Sequence, residues 1–454
     1  MEFNGKALLP DVSWRKLKHA PQNLLSGTFR SLRHPNYRLF FFGQLISLIG
    51  TWLQNTALAW LVYSLTKNAM TLGIVSFLGS IPVLFFSVLA GTFADEHPKR
   101  RILVWTQAAA GVQAILLAVA IWTGNATVVV IGIANFLLGI VNAFDMPTRQ
   151  AFVVEMASKE DVTNAVALNS AVFNAARLIG PAFAGYIIYA LSIDMCFFLN
   201  GISYIAVILG LMMMRFDRLE IRKRALNVTR WSAMKEGIAY LNRIPQLRAL
   251  MFLVMGMTLF GWSYTVNLPV VADHLLRGGS SVYSALLAAN GAGALLAALS
   301  QAAFGSRFDA RRMLFVGLGA FIVGLVTLSF ALSIWMAVVA LVCIGWGIIT
   351  FFITANTTLQ RRTPDHLRGR VMSIYTLAFA GLFPFGSLFA GWLAQFLGVA
   401  DAFRINAAVL LCFAVPAMLY LRNVPRLRTL PREALEALLA GEQQVIQAEQ
   451  ISKG

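Results

Sequence analysis

Twelve long apolar runs, separated by short polar segments, recur along nearly the whole chain of 454 residues. A helix of about 20 apolar residues crosses the roughly 30 Å hydrocarbon core of a bilayer, because each residue adds about 1.5 Å of length. Inside lipid the backbone must satisfy its own hydrogen bonds, so spanning segments are helices or closed barrels. The runs therefore predict an all-α integral membrane protein with twelve transmembrane helices.

The composition supports a membrane protein and suggests no metal site. Hydrophobic residues make up 58% of the chain and charged residues only 13%, whereas soluble domains are about half apolar and about a quarter charged. The 3 cysteines lie far apart in apolar runs, and the 5 histidines lie in polar segments without a metal-binding spacing. We therefore expect no disulfide, no metal site and no cofactor.

The positive residues are distributed unevenly between the two sides of the predicted helices. The loops on one side hold only Lys67, Arg277 and Arg404. Arg177 lies within an apolar run, and all the others of the 37 Lys and Arg residues fall in or beside the opposite segments. Positive segments of multi-pass proteins face the cytoplasm. The asymmetry predicts two cytoplasmic termini, and it attributes the net charge of +17 to topology and membrane lipid contact rather than to a nucleic-acid partner.

The twelve runs fall into two halves of six. A basic segment at 1–36 precedes the first half at 37–214, and a polar connection at 215–248 leads to the second half at 249–422, followed by a tail at 423–454. The letters Arg-Arg-Ile-Leu from residue 100 are echoed by Arg-Arg-Met-Leu from residue 311. This duplication predicts two pseudo-symmetric six-helix bundles, which is typical of transporters that bind substrate at mid-depth between the repeats.

A short charged segment joins the second and third runs. It reads Gly91-Thr-Phe-Ala-Asp95-Glu-His-Pro-Lys99-Arg100-Arg101 and is held between two membrane-spanning runs. A segment so short must stay at the membrane surface, close to the ends of neighbouring helices. We predict that it acts as a latch between helix ends. The alternative interpretation is a solvated set of charges that only fixes the topology.

These features resemble the major facilitator superfamily over residues 37–422. That superfamily carries a loop motif after its second helix and an altered copy after its eighth, as Gly91–Arg101 and the segment 305–312 do in this chain. The stretch Asp145–Glu155, followed by Asn174–Pro181, is similar to the exporter branch that includes enterobactin-type siderophore exporters and macrolide efflux pumps.

The resemblance implies a role for the charged loop. In the superfamily the loop acid, in this chain Asp95, contacts the start of the eleventh helix, near Arg370, when the inner side is closed. An anion at a helix N-terminus is stabilised by about 0.3–1 kcal/mol, which is consistent with such a contact. Arg100 or Arg101 is expected to reach Asp145 at the inner end of the fourth helix.

The fourth and fifth runs carry the features that bear on coupling. The superfamily has an arginine in a fourth-helix motif that this chain lacks in the stretch beginning at Asn135. Arg177 in the fifth run is therefore a candidate for coupling or substrate binding, because a mid-membrane arginine is costly without a role. The alternative is a structural pairing with nearby asparagines. An antiporter motif is resembled by Gly180, Pro181 and Gly185, and this favours export. The alternative interpretation is that these small residues only allow close packing of helices.

Polar and aromatic side chains inside the apolar runs are the candidates for a substrate cavity, because hydrocarbon penalises polar groups that face lipid. Each of them also fits an alternative role in hydrogen bonds or packing between helices. The candidates are Gln54, Asn55, Asn135, Asn142, Trp262, Tyr264, Asn267 and Asn290.

The resemblance implies a secondary active transporter in the plasma (inner) membrane of a bacterium, which we expect to be a monomer. It predicts alternating-access export of a small amphipathic molecule, siderophore-like or drug-like, in exchange for protons, although no acid lies deep in an apolar run to carry them. A lysophospholipid flippase of the same fold is the alternative. An intramembrane enzyme is disfavoured because the sequence has no HExxH pattern and no acid beside a buried nucleophile.

Overall fold

The computed structural model describes residues 30–156, 161–215, 230–305 and 307–423. The predictions for the basic segment before residue 30, for 216–229 of the polar connection and for the tail after residue 423 lie outside the described residues. Every regular element in the described ranges is a helix, and 12 of the helices are long and apolar enough to cross a membrane. The predicted all-α fold with twelve spanning helices is confirmed.

The membrane helices run back and forth through short turns, and one further helix, α7, connects the halves. In chain order the helices are α1 (Pro35–Thr66), α2 (Ala69–Glu96), α3 (Lys99–Trp122), α4 (Val128–Met156), α5 (Val162–Ala190), α6 (Ile193–Met213), α7 (Arg230–Arg243), α8 (Pro245–Gly256), α9 (Ser280–Phe304), α10 (Ala310–Ser329), α11 (Ile334–Arg362), α12 (Asp365–Leu397) and α13 (Val399–Asn423).

The seventh crossing is irregular beyond α8. It continues as a π-helical segment (Met257–Gly261) and a 3-10 segment (Trp262–Asn267), and after one α-helical turn a second π-helical segment ends at Leu275. Pro269 lacks the amide hydrogen that a regular helix needs, and Asn267 donates a 2.9 Å hydrogen bond to a backbone carbonyl of α12. The apolar run alone does not indicate this break, which changes the direction of successive side chains near the centre of the molecule.

The same packing relations recur in both halves. In the first half, α2 packs on α4, and α3 packs on α4 and α6. In the second half, α9 packs on α11, and α10 packs on α11 and α13. These are equivalent helices of a six-helix repeat, so the chain forms two pseudo-symmetric bundles.

The two bundles meet along two helix pairs, α2 with α12 and α5 with α9. A Cβ atom on Gly73 would lie 2.7 Å from the carbonyl oxygen of Ser387, so only glycine permits this approach of α2 to α12. Similarly, a Cβ atom on Gly185 would lie 2.6 Å from the Cβ of Ser284 on α9. Small residues at such contacts let membrane helices pack closely. Both contacts lie toward the end where α1 meets α2, which we call the distal end; the end where α1 begins is the terminal end.

The connecting helix α7 is attached to the second bundle at the terminal end. Glu236 forms an ion pair with Arg370 in the first turns of α12. The hydroxyl of Tyr240 donates a 2.7 Å hydrogen bond to the backbone carbonyl of Arg362 at the end of α11. Burial raises the pKa of Tyr240 to about 12, so this hydroxyl keeps its proton at neutral pH and remains a donor.

Candidate functional site

A cavity of about 390 Å³ lies between the two bundles, which is within the range of roughly 300–1,000 Å³ typical of small-molecule sites. Helices α1, α2, α4 and α5 line it from the first bundle, and the irregular seventh crossing, α9 and α12 line it from the second. Its wall is mainly apolar and aromatic, with several amides. Among the predicted candidates, the wall includes Asn55, Asn135, Asn142, Arg177, Trp262 and Asn290.

Arg177 is the sole Lys, Arg, Asp or Glu among the residues that line this cavity, and it is 6% exposed. Its Nη2 donates a 2.7 Å hydrogen bond to Oδ1 of Asn290. The guanidinium carbon lies 5.8 Å from the ring centre of Trp52 and 5.7 Å from that of Trp262. Within the described ranges Arg177 has no ion-pair partner. Two aromatic faces and a neutral amide therefore stabilise the cation.

A chain of hydrogen bonds at this point joins the bundles. Asn290 on α9 accepts from Arg177 of the first bundle and donates a 2.6 Å hydrogen bond to the hydroxyl of Tyr264, which is fully buried in the second. The neighbouring Gly291 allows the approach, because a Cβ atom there would lie 2.9 Å from the carbonyl oxygen of Arg177. The sequence Asn290-Gly291 thus places an amide opposite a cation of the other bundle.

Three of the predicted cavity residues lie outside the cavity wall. Gln54 is 2% exposed, and its side-chain oxygen accepts a 2.7 Å hydrogen bond from Asn200 on α6. Tyr264 and Asn267 are fully buried and bond to Asn290 and to the backbone of α12. Their positions correspond to the alternative interpretation, hydrogen bonding between helices.

A polar contact at the distal end was not anticipated from the sequence. Asp273, at the end of the seventh crossing, accepts a 2.9 Å bond from Nζ of Lys67 and a 3.1 Å bond from the hydroxyl of Tyr63. Close by, Trp60 stacks on Tyr283 with ring centres 6.0 Å apart. Trp60, Tyr63 and Lys67 belong to the first bundle, and their partners Asp273 and Tyr283 belong to the second. The sequence does contain a signal for this ion pair. Charges are rare at the distal end, and Lys67 and Asp273 have opposite signs there.

The proposed latch contact is not formed in this structure. Asp95 is exposed near the end of α2, with no hydrogen bond or ion pair among the described residues. Arg370, near the start of α12, pairs instead with Glu236 of α7. The resemblance assigns the latch to a state closed at the terminal end, whereas the polar contacts just described join the bundles at mid-depth and at the distal end.

Two bases of the charged loop contact the first bundle. Lys99 forms a 2.5 Å ion pair with Glu155 at the end of α4. Arg100 donates a 2.8 Å hydrogen bond to a backbone carbonyl near the end of α6. Gly91 lies in α2, where an added Cβ atom would meet no other atom within 4 Å, and Arg101 is exposed in α3. Lys99 and Arg100 thus hold neighbouring helix ends together within one bundle.

The partner of Asp145 is Arg149, which corrects the prediction that Arg100 or Arg101 would reach it. Asp145 is 1% exposed and forms an ion pair with Arg149 one turn later in α4. Thr106 and Gln107 of α3 donate hydrogen bonds of 2.9 and 2.8 Å to its other oxygen. An acid and a base four residues apart lie on the same face of a helix, so the local pair forms in preference to the longer-range one.

The glycine–proline motif of α5 contacts both bundles. Gly180 packs directly against α1 at Trp52, and Gly185 packs against α9. Between them, Pro181 lines the cavity. These contacts give the motif a packing role beside the cavity, and its interpretation as an antiporter motif stays a prediction.

Comparison with known proteins gives consistent matches along the chain. A family model described as "Transmembrane secretion effector" matches residues 26–448. The staphyloferrin A transporter of Staphylococcus aureus is 28% identical over 83% of this chain and 94% of its own length. Macrolide efflux protein A of Streptococcus pyogenes is 22% identical (84% and 96%), and the multidrug efflux pump Tap of Mycolicibacterium fortuitum is 25% identical (86% and 96%).

Solved structures show a similar fold at low sequence identity. A bacterial homologue of the lysosomal transporter Spinster, in an inward-facing and unoccupied conformation, matches with a TM-score of 0.66 at 13% identity and covers 85% of this chain and 96% of its own. The POT family transporter PepTSo matches with a TM-score of 0.67 at 13% identity, covering 86% and 98%. The relatives and the fold are those of transporters and not of enzymes, which excludes the intramembrane enzyme.

Proposed function

Because the chain belongs to the transmembrane secretion effector family of the major facilitator superfamily and is similar to a staphyloferrin A transporter and to macrolide and multidrug efflux proteins, we propose that it exports a small amphipathic organic molecule from the cytoplasm by alternating access. We further propose that it works as a monomer in the plasma (inner) membrane of a bacterium and takes up protons in exchange for its substrate.

The observation that carries this proposal is the position of the cavity relative to the contacts between bundles. Residues from both bundles line the cavity, as alternating access around a central site requires. The contacts Tyr63–Asp273, Lys67–Asp273 and Trp60–Tyr283 close the distal end. At the terminal end Asp95 is exposed and forms no hydrogen bond or ion pair with α12 among the described residues. This arrangement supports a state in which the cavity is reached from the terminal end.

The distribution of charge supports the orientation. The terminal end carries the loop bases Lys99, Arg100 and Arg101, together with Arg361 and Arg370. Positive loops of membrane proteins remain in the cytoplasm. A cavity reached from the terminal end is then open to the cytoplasm, which is the state that loads an exporter. The mainly apolar and aromatic wall suits an amphipathic molecule.

Transport by the purified full chain in sealed liposomes tests this proposal. Liposomes that contain protein with its terminal end outward should accumulate staphyloferrin A or a macrolide when the lumen is made acidic, and a protonophore should abolish the accumulation. Protein-free liposomes and the same preparation without a pH gradient are the controls. The proposal would be contradicted if neither staphyloferrin A nor a macrolide were taken up in a gradient-dependent way. Movement of a fluorescent lysophospholipid alone would also contradict it and would favour the flippase.

A further inference from the structure

We infer that the transported molecule carries a carboxylate, which pairs with the Arg177 guanidinium and competes there with Asn290 as a hydrogen-bond acceptor. The inference rests on the proposed export function and narrows its substrate to organic anions. It also makes Arg177 the point at which the protein senses that the cavity is occupied.

The first argument concerns the donors of Arg177 that lack an acceptor. A guanidinium presents five N–H donors in one plane and accepts none. In this structure the hydrogen bond from Nη2 to Asn290 is the one that Arg177 makes among the described residues. Since Arg177 lines the cavity, further donors remain for a ligand. A carboxylate matches two parallel donors of a guanidinium better than any neutral group does.

The second argument concerns charge. Arg177 is 6% exposed and has no ion-pair partner within the described ranges. The other lining residues are apolar, aromatic, hydroxyl or amide residues. The cavity therefore carries an uncompensated positive charge in surroundings where charges interact more strongly than in water. Such a site attracts anions and disfavours cations.

The third argument concerns shape. Trp52 of α1 and Trp262 of the seventh crossing lie on the guanidinium at 5.8 and 5.7 Å. Trp52 is fixed in turn by Phe173 at 5.7 Å, and Trp262 by Phe352 at 5.3 Å. The indole rings thus restrict the orientation of the guanidinium and leave its edge for an acceptor. They also offer apolar surface to the body of an amphipathic anion.

The exchange of acceptors has a consequence for the cycle. The bond from Arg177 to Asn290 joins α5 of the first bundle to α9 of the second, on the same side as the close contact of Gly185 with Ser284. A carboxylate that competes with Asn290 for Arg177 weakens a bond that joins the bundles at mid-depth. A ligand shifts a conformational equilibrium when it binds one state better than the other, so the anion would favour opening of the distal end.

Binding of a matched pair of dyes to the full chain in lipid nanodiscs tests the inference. The probes are 7-methoxycoumarin-4-acetate and its neutral methyl ester, followed by fluorescence anisotropy. The wild type should bind the carboxylate dye at least about tenfold more tightly than the ester, because a hydrogen bond to a charged group is lost in the ester. Arg177→Gln should abolish this preference, and Arg177→Lys should keep part of it. Arg404→Gln, an exposed residue paired with Asp401 within one helix, is the control and should behave as wild type.

A second variant keeps the test independent of whether Arg177→Gln folds. Asn290→Asp supplies an internal carboxylate to Arg177, so it should raise the Tm and weaken binding of the carboxylate dye at least about tenfold. The inference would be overturned if the wild type bound both dyes equally well or bound neither of them. It would also be overturned if Asn290→Asp kept the full preference for the carboxylate dye over the ester. If gradient-driven transport of a macrolide, which carries no carboxylate, persists in that case, the export function stands and only the anionic substrate is refuted.

Discussion

Replacing Asp273 with alanine should loosen the distal end by an amount that the structure allows us to estimate. Asp273 accepts bonds from Lys67 and Tyr63 of the other bundle. The side chains of Lys67 and Asp273 are 56% and 30% exposed, so their ion pair contributes only about 0.2–1 kcal/mol. The hydrogen bond from Tyr63 adds about 0.5–1.5 kcal/mol. Loss of about 1–2 kcal/mol raises the population with an open distal end roughly 5- to 30-fold.

Cysteine labelling from the distal side measures this population. A cysteine at Val62, which is 1% exposed and lines the cavity, reacts with a membrane-impermeant maleimide only when the distal end opens. The exposed Cys343 and Cys412 are first replaced by serine, while the buried Cys196 can stay. We expect Asp273→Ala to raise the labelling rate roughly 5- to 30-fold if opening is in rapid equilibrium.

The control removes the same charge at the same end without separating the bundles. Asp401 pairs with Arg404 three residues later in α13, so Asp401→Ala should leave the labelling rate at the wild-type value. Equal rates in Asp273→Ala and Asp401→Ala would refute the conclusion that Asp273 holds the distal end closed.

Three further predictions follow from the fold and the sequence. Asp145→Asn removes the charge that pairs with Arg149 and should lower the free energy of unfolding by about 1.5–3 kcal/mol; thermal unfolding in detergent would show it, and a Tm equal to wild type would contradict it. Gly73→Val cannot be accommodated against Ser387, so cysteine pairs that join α2 to α12 at the distal end should cross-link more slowly; unchanged rates would count against that close contact. Asp95→Asn should reduce transport while membrane insertion stays normal, because the latch of the terminal end loses its charge; wild-type flux would exclude a latch role.

The fold was predictable because its determinants are local. The length of each apolar run, the positions of the basic residues and the duplicated Arg-Arg motif can all be read without knowing which helices touch. The irregular seventh crossing was not predictable in this way. Its π-helical and 3-10 segments depend on contacts such as that of Asn267 with α12, which the sequence alone does not specify.

The cavity was predictable only in part, and the neighbours Gln54 and Asn55 show why. Both are amides inside the first apolar run, but Asn55 lines the cavity whereas Gln54 bonds to Asn200 on α6. One residue corresponds to about 100° of rotation around a helix, so assigning a wall residue requires knowing how α1 is rotated in its bundle. Since polar side chains avoid lipid in either role, residue type does not separate the two.

Pairs of distant residues set the other limit. Arg177 was a candidate because a cation in mid-membrane is rare, but its two tryptophan neighbours come from α1 and from the seventh crossing. Tyr63 and Asp273 are separated by 210 positions. For Asp145, the partner expected from the loop was replaced by a base in the same helix, Arg149. A sequence reports which groups need partners and rarely which partner each one finds.

The attachment of α7 to the second bundle makes this helix a place to observe motion without disturbing the membrane interior. Because Glu236 and Tyr240 fix α7 to the ends of α12 and α11, a fluorophore on the exposed Ala239 would move with the second bundle as a rigid body. A second fluorophore at the exposed Arg101 would move with the first. The distance between the two dyes would then follow the opening and closing of the terminal end in single molecules, with both labels outside the cavity wall.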